Sequence, residues 1–386
     1  MSIETAKKFI DYLLNADESN EYINPVISPF LIIEFIGGEP FLEIKLIDEI
    51  MDYFIDQAFK LQHPWATRYC ISICSNGTLY FEPEVQRFFN KHRNHISFSV
   101  TIDGNKELHD SCRVFYDGSP SYDLAWAAAQ DWISKGGYMG SKITICPENL
   151  SMLNDALRHF VSLGYEEINA NCVYEEGWTI EDASELYNQM KSFADYMLDN
   201  KLNIFCSLYE ENFFHPKEEN DLDNWCGGNG KMLACDPDGY LYPCIRYMES
   251  SLGEDQPSIR IGHVDHGLEY TKKEKDWVKC LNCINRRTQS TDECFYCPIA
   301  EGCSWCSAYN YQVFGTPDKR ATYICEMHKA RSLANVYYWN KRYAIEGIDK
   351  QMKMYCPKEW AIPIIGEEEY NYLLELSGGK INEIKD

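Results

Sequence analysis

Nine of the seventeen cysteines in this 386-residue chain fall between Cys226 and Cys306, and their spacing is the first feature able to do chemistry. Cys294-Phe-Tyr-Cys297 sets two thiols on one tight turn, and Cys303-Ser-Trp-Cys306 repeats the arrangement after a five-residue gap. Upstream, Cys226 is followed after twelve residues by Gly239 and after four more by Cys244, with Cys235 between them; Cys325 stands apart downstream. Thiolates are soft ligands that select zinc or iron–sulfur clusters. Zinc could take Cys280, Cys283, Cys294 and Cys297, although the ten residues between the pairs are fewer than a zinc ribbon commonly has. Iron–sulfur clusters account for more of the cysteines together. A disulfide framework needs an oxidising compartment, and Met1 to Asn20 lacks the apolar core of a signal peptide.

A second set of residues lies upstream. Phe35-Ile36-Gly37-Gly38-Glu39-Pro40 closes an apolar run and opens a helical one. The glycines let a ligand approach the backbone, and the Glu39 carboxylate can accept from an ammonium group. Ser75-Asn76-Gly77-Thr78 ends the next apolar run, Thr101-Ile-Asp103-Gly104 the one after, with His109-Asp110 and Arg113 behind it. Asn149-Leu150 follows a further strand. These groups fall at the C-terminal ends of predicted strands, where parallel α/β sheets bind their ligands. Cys70 and Cys74 lie inside a predicted strand and read as buried core, since free cysteine packs as a small hydrophobe.

The elements that must hold these groups alternate. Strands are predicted at 30–36, 68–75, 96–103, 141–145 and 167–173, and helices at 42–60, 82–92, 122–134, 152–163 and 180–200. A first helix, Ile3–Leu14, has no strand before it. Five strand–helix repeats at spacings too long for hairpins call for parallel strands with helical crossovers. The expected organisation is an α/β domain over 1–208, a polar linker over 209–225, a cysteine-rich domain over 226–345 ending in a helix at 327–343, and a tail over 346–386. With 45% hydrophobic and 14% aromatic residues the chain can bury a large core. Its 36 basic and 60 acidic side chains give a net charge of −24, which argues against nucleic acid or an anionic membrane as partner. No run approaches the roughly 20 apolar residues of a membrane span. A cytoplasmic protein is expected.

The order C-x12-G-x4-C, C-x2-C-x5-C-x2-C and a distant C resembles the SPASM domain of radical S-adenosylmethionine enzymes. That family usually has three residues between its fifth and sixth cysteines, where this chain has Ser304 and Trp305. The resemblance implies two auxiliary 4Fe–4S clusters. Cys294, Cys297, Cys303 and Cys325 would hold the outer one, and Cys226, Cys244 and Cys306, with Cys235 as fourth ligand, the inner one. Gly37-Gly38-Glu39-Pro40 resembles the motif that holds the methionyl amine of S-adenosylmethionine. Asn76, Thr101 (in place of the usual Ser), Asp103 and Arg113 match further cofactor contacts. The implied fold is α/β, an incomplete (β/α)6 partial barrel followed by a cysteine-rich SPASM-like domain, with the resemblance covering residues 1–345.

The family's defining C-x3-C-x2-C loop is absent from this sequence. An N-terminal truncation is expected on that ground, with S-adenosylmethionine and a third cluster bound only where the missing segment is present. The implied activity is that of a peptide maturase. It would modify a ribosomally made, Cys-rich precursor through a thioether or related radical cross-link, with flavodoxin or ferredoxin as electron donor. The resemblance names no catalytic residue. Ile245 and Arg246 follow the cysteine of G-x4-C where sulfatase maturases carry Asp, which argues against that subgroup. The runs Cys303–Tyr311 and Cys325–Arg331 resemble maturases of peptides with CXXX repeats. The alternative is a noncatalytic iron–sulfur or zinc protein that binds peptide.

Overall fold

A computed structural model of the chain describes residues 1–379 except 21, 176, 224, 225, 227, 229, 231 and 269–276. The chain folds into two compact units that interleave in sequence. The first comprises Met1–Phe98, Leu222–Ser290 and Trp305–Ala321; the second comprises Ser99–Asp221, Thr291–Ser304 and Thr322–Asp386.

In the first unit the elements run α1 (Ile3–Leu14), β1 (Leu31–Phe35), α2 (Ile44–Lys60), β2 (Tyr69–Ser75), α3 (Pro83–Lys91) and β3 (Ile96–Val100), the unit boundary falling within β3. The sheet order is β1-β2-β3, and β1 runs parallel to β2 from Leu31↔Tyr69 to Phe35↔Ile73. Strand periodicity decides the faces. Tyr69, Ile71 and Ile73 are buried, with the Tyr69 ring 5.3 Å from Phe54 of α2. Phe98 of β3 meets Phe89 of α3 edge to face at 4.9 Å. The opposite face carries half-buried Cys70, exposed Cys74 and, on β1, exposed Ile32. The expectation that Cys70 and Cys74 are both core is therefore corrected: the alternation turns them away from the helices, and Cys74 stays open.

The second unit continues with α4 (Lys106–Cys112), α5 (Tyr122–Ser134), β4 (Gly140–Ile145), α6 (Leu153–Ser162), β5 (Glu167–Cys172), α7 (Ile180–Asp199) and β6 (Phe205–Cys206). Its sheet has the order β4-β5-β6, with both pairings parallel. A capping box starts α7: Thr179 accepts the Asp182 N–H at 3.1 Å while Asp182 accepts the Thr179 N–H at 2.9 Å. Two long helices close over α7. One, Cys325–Glu346, exceeds the predicted 327–343 at both ends, and its Tyr337 and Lys341 reach Asp195 at 2.6 and 2.9 Å. The other, Lys358–Leu376, lies in the segment read as a tail; it is interrupted at Gly366 (φ +77°) and contains Pro363. Its Glu369 accepts from Tyr187 at 2.5 Å and from Lys191 at 2.7 Å.

The cysteine-rich part of the first unit is built on small pieces. Strands β7 (Ala234–Cys235), β8 (Tyr240–Tyr242), β9 (Gly262–His263) and β10 (Gly267–Leu268) form an antiparallel sheet of order β10-β9-β8-β7. Phe9 and Tyr12 of α1 pack into the core beside this sheet. No described helix is long and apolar enough to cross a membrane.

Tyr187 and Glu369 give an asymmetric test of the closing helix. Glu369→Leu leaves a buried hydroxyl unpaired and should lower the unfolding free energy by about 1–3 kcal/mol, whereas Tyr187→Phe, which leaves Glu369 with Lys191, should cost about 1 kcal/mol. Urea melts of both variants read the order of the two losses.

Candidate cysteine centres and strand-end sites

The first unit gathers three cysteines through local devices. The β7–β8 hairpin turns on Asp236, whose Oδ1 accepts the N–H groups of Asp238 at 3.0 Å and Tyr240 at 2.9 Å. Gly239 completes that turn at φ +95°, where a Cβ would also lie 2.9 Å from Val264 Cγ2. Just beyond β8, Cys244 Sγ accepts the Arg246 N–H at 3.3 Å, and Cys306 Sγ accepts the Tyr309 N–H at 3.4 Å at the start of helix Ser307–Phe314. Cys226 Sγ lies 3.1 Å from Ser307 Oγ. Gly228 leaves room between sulfurs: a Cβ there would sit 3.5 Å from Cys226 Sγ and 3.7 Å from Cys244 Sγ.

Around these thiols are buried Tyr22, Leu241, Tyr247 and Trp305. Burial pushes the Cys244 thiol up to about 12, with Cys306 and Cys226 adding to the rise, and burial pushes Cys306 up as well. Tyr22, which donates to Gly228 O at 3.2 Å, is raised by the same burial and by Cys244. Cys235 shares this core and is pushed up to about 12 by burial, but its neighbour is Asp236, whose carbonyl accepts the thiol at 3.4 Å. The structure thus brings Cys226, Cys244 and Cys306 into mutual interaction and leaves Cys235 directed elsewhere in the same core. Crowded buried thiols keep their protons unless a cation replaces them. This soft, proton-holding donor set fits a thiolate-bound metal group.

The second unit holds the other candidates. Thr291 Oγ1 accepts the Cys294 N–H at 3.3 Å, and the Cys297 N–H reaches Cys294 O at 3.4 Å. Gly302, at φ +73°, has no room for a side chain, since a Cβ would lie 2.3 Å from Phe213 Cδ2. The loop is pinned by Glu301 N–H to His215 O at 2.9 Å and by His328 Nε2 to Ile299 O at 2.7 Å. Cys325 opens the helix Cys325–Glu346, and the preceding Ile324 lines a small pocket with Cys303. Cys356, buried and pushed up to about 12, interacts with Cys297; the motif spacing gave no sign of this further thiol. Of the remaining pair, Cys280 is half-buried on helix Trp277–Asn282 and Cys283 is exposed. No cysteine is in a disulfide.

The strand-end residues are also sorted by unit. In the first, the Glu39 carboxylate accepts from Phe41 N–H at 3.0 Å, Ser75 Oγ at 2.7 Å and Asn76 N–H at 2.8 Å. It laces the end of β1 to the end of β2 and leaves about one of its four acceptor positions for an ammonium. Pro40 begins the turn that follows, and the space around Gly37 and Gly38 is open. In the second unit, Asp103 and Arg113 form a two-pronged ion pair, with Nη2 at 3.3 Å from Oδ1. Buried His109 accepts the Asp103 N–H at Nδ1 and meets Ser121 Oγ at 3.1 Å through Nε2, and burial lowers its pKa, so it is neutral here. Half-buried Thr101 lies two residues before Asp103. Asn149 ties off β4, accepting the Cys146 N–H and donating to Thr144 O, each at 2.9 Å.

Asp48, Asp52 and His92 also come within metal-binding distance of one another. The Lys91 ammonium already sits there, at 2.7 Å from Asp48 and 2.5 Å from Asp52.

No family model matches the sequence. Over 96% of this chain and 90% of its own, the solved structure of anSMEcpe with bound AdoMet, an anaerobic sulfatase-maturating enzyme, superposes with a TM-score of 0.62 at 16% identity. The fold is that of the radical S-adenosylmethionine enzymes with a SPASM domain. Another anSMEcpe structure of this radical S-adenosylmethionine fold, with AdoMet and the Kp18Cys peptide bound, gives 0.61 at 17% identity, covering 90% of this chain and 91% of that one. In sequence, the chain is 26% identical over 248 residues to an uncharacterized protein of Methanocaldococcus jannaschii, covering 63% of this chain and 75% of that protein. It is 23% identical over 314 residues to a serine-type anaerobic sulfatase-maturating enzyme of Bacteroides thetaiotaomicron, covering 73% and 71%. It is 19% identical over 288 residues to the radical SAM cyclopropyl synthase TigE of Paramaledivibacter caminithermalis, covering 71% and 57%.

Glu39→Ala removes three hydrogen bonds at once and should lower the unfolding free energy by about 1–3 kcal/mol in a denaturant melt. An unchanged midpoint would mean that the lacing of β1 to β2 is not made in solution.

Proposed function

We propose that this protein is a peptide-modifying member of the radical S-adenosylmethionine group whose cysteine-rich part holds two auxiliary 4Fe–4S clusters. The observation that carries the reading is the division of eight cysteines between the two compact units: Cys226, Cys235, Cys244 and Cys306 in the first, Cys294, Cys297, Cys303 and Cys325 in the second. Four thiolates per cluster is the ordinary iron–sulfur stoichiometry. When bound, such clusters supply one-electron transfer. The chain's own residues hold and shield them: Tyr22, Leu241 and Trp305 keep water from the first set, and the loop pinned by His328 fixes the second. For Cys235 to serve as fourth ligand, its thiol must give up Asp236 O.

At the strand ends, the open backbone at Gly37 and Gly38, with Pro40, Asn76 and the one remaining acceptor position of Glu39, is a reading for the methionyl end of S-adenosylmethionine. By the motif resemblance Thr101, Asp103 and Arg113 are further candidate cofactor contacts, with the Thr101 hydroxyl toward the ribose. The peptide substrate is supported by the names of the relatives, an anaerobic sulfatase-maturating enzyme and a cyclopropyl synthase, and by the peptide-bound anSMEcpe structure. Ile245 in place of Asp after Cys244 argues for a peptide other than a sulfatase, and the Cys303–Tyr311 run for a Cys-rich precursor. A flavodoxin or ferredoxin would supply electrons, in the cytoplasm.

A second reading, a noncatalytic iron–sulfur or zinc protein that binds peptide, is favoured by one fact: the sequence contains no C-x3-C-x2-C to hold a radical-generating cluster.

Anaerobic reconstitution should load about eight irons per chain. Cys244→Ser and Cys297→Ser should each reduce this to about four, measured by iron analysis and absorption. One or two zincs without iron would select the second reading. With dithionite and S-adenosylmethionine, residues 1–386, which contain no C-x3-C-x2-C, should release no 5′-deoxyadenosine above a protein-free control, whereas the chain extended upstream by a segment that supplies that loop should release it, measured by chromatography; no release from either selects the second reading.

A further inference from the structure

Arg331 lies on helix Cys325–Glu346, fewer than two turns past Cys325. It lines the pocket of the second unit shared by Asn171, Cys172, Cys303 and Ser304. Its Nη2 donates to Ser207 O at 2.8 Å, and the guanidinium carbon lies 5.7 Å from the centre of the Phe214 ring. Its Nε is fully buried and has no hydrogen-bond partner among the described residues.

A buried guanidinium needs negative charge nearby. The groups that interact with it are Cys172, Cys206, Glu210 and Cys303. Burial pushes Cys172 and Cys206 each up to about 12, so they are neutral thiols, and burial also pushes the Glu210 carboxyl upward. Cys303, which lines the same pocket, is a candidate cluster ligand. A 4Fe–4S cluster held by four thiolates carries net negative charge and sulfurs that accept hydrogen bonds, which suits the buried Nε–H that has no partner among the described residues.

We propose that Arg331 is a positioning residue for the cluster assigned to Cys294, Cys297, Cys303 and Cys325, balancing its charge from the Cys303 side and donating Nε–H to one of its sulfurs. The inference rests on the two-cluster reading. Added positive charge and hydrogen bonds to sulfur stabilise the reduced state more than the oxidised one, so Arg331 raises the potential of this cluster. The groups that surround Arg331, among them Cys172, Cys206, Ser207, Glu210 and Cys303, all belong to the second unit.

The test is a redox titration, followed by electron paramagnetic resonance, of the anaerobically reconstituted full chain, with iron counted first. Arg331→Met should keep about eight irons and move one of two midpoint potentials to a more negative value. Arg331→Lys, which keeps the charge and loses the Nε–H, should move the same potential by less. Cys244→Ser should remove the other signal and leave the Arg331-sensitive one. Unchanged potentials in Arg331→Met at full iron content overturn the proposal, even if the melting temperature falls, because that outcome leaves only an anchor for Ser207 O. Should Arg331→Met fail to load iron, an unshifted Arg331→Lys overturns it instead. A wild-type chain that takes up no iron overturns the two-cluster reading, and the role of Arg331 with it.

Discussion

A thiol enclosed by apolar side chains holds its proton until a cation takes the proton's place. Much of this molecule is arranged around that rule. Cys244 and Cys306 sit among tyrosine, leucine and tryptophan, and that burial makes ionisation harder. The surrounding structure is correspondingly slight. Strands β7 to β10 span two or three residues each, too few to be independently stable. Segments of that kind become firm when metal binding contributes folding energy. The hairpin on Asp236 and Gly239, and the backbone N–H groups bonded by the Cys244 and Cys306 sulfurs, are what such a domain needs: they aim the side chains.

At the strand ends the economy is different. Polar groups that the motif reading assigns to a ligand are engaged with one another. Glu39 binds three donors, Asp103 is matched by Arg113, and Asn149 satisfies two backbone groups. A residue that braces two strands holds its neighbours still, and Gly37 and Gly38 then offer their backbone at a defined place. The bracing and the binding readings are compatible, because a carboxylate or amide has more acceptor positions than one task uses.

The long periodic elements were legible in the sequence. Helices α1 and α5 have the predicted bounds, and five predicted strands match β1 to β5 within three residues, because alternation and helical spacing over five or more residues leave little ambiguity. Strand β6 and strands β7 to β10 were not legible, since two or three residues carry no period. Helix Lys358–Leu376 was hidden by Pro363 and Gly366, which read as breakers and do interrupt it. In the cysteine region, spacing pointed to the thiols of the motif and missed Cys356. Tyr22 and Arg331 escaped because their importance comes from where the fold buries them.

The interleaving of the two units bears on how the chain is made. It passes from one unit to the other five times, at 98/99, 221/222, 290/291, 304/305 and 321/322. The stretch from Cys303 to Cys306 contains one of those passages. A polypeptide leaving the ribosome exposes the β1–β2 sheet early, yet its own unit is incomplete until Ala321 has emerged. By then the last part of the second unit is still unsynthesised. Neither unit can therefore mature as a finished N-terminal domain while the rest is translated, which is the usual order for multidomain chains. Half-assembled chains carry clustered, uncommitted thiols throughout this interval. On the two-cluster proposal, insertion of metal would be a late, whole-chain event, and an oxidising lapse before it would find the nascent cysteines at their most vulnerable.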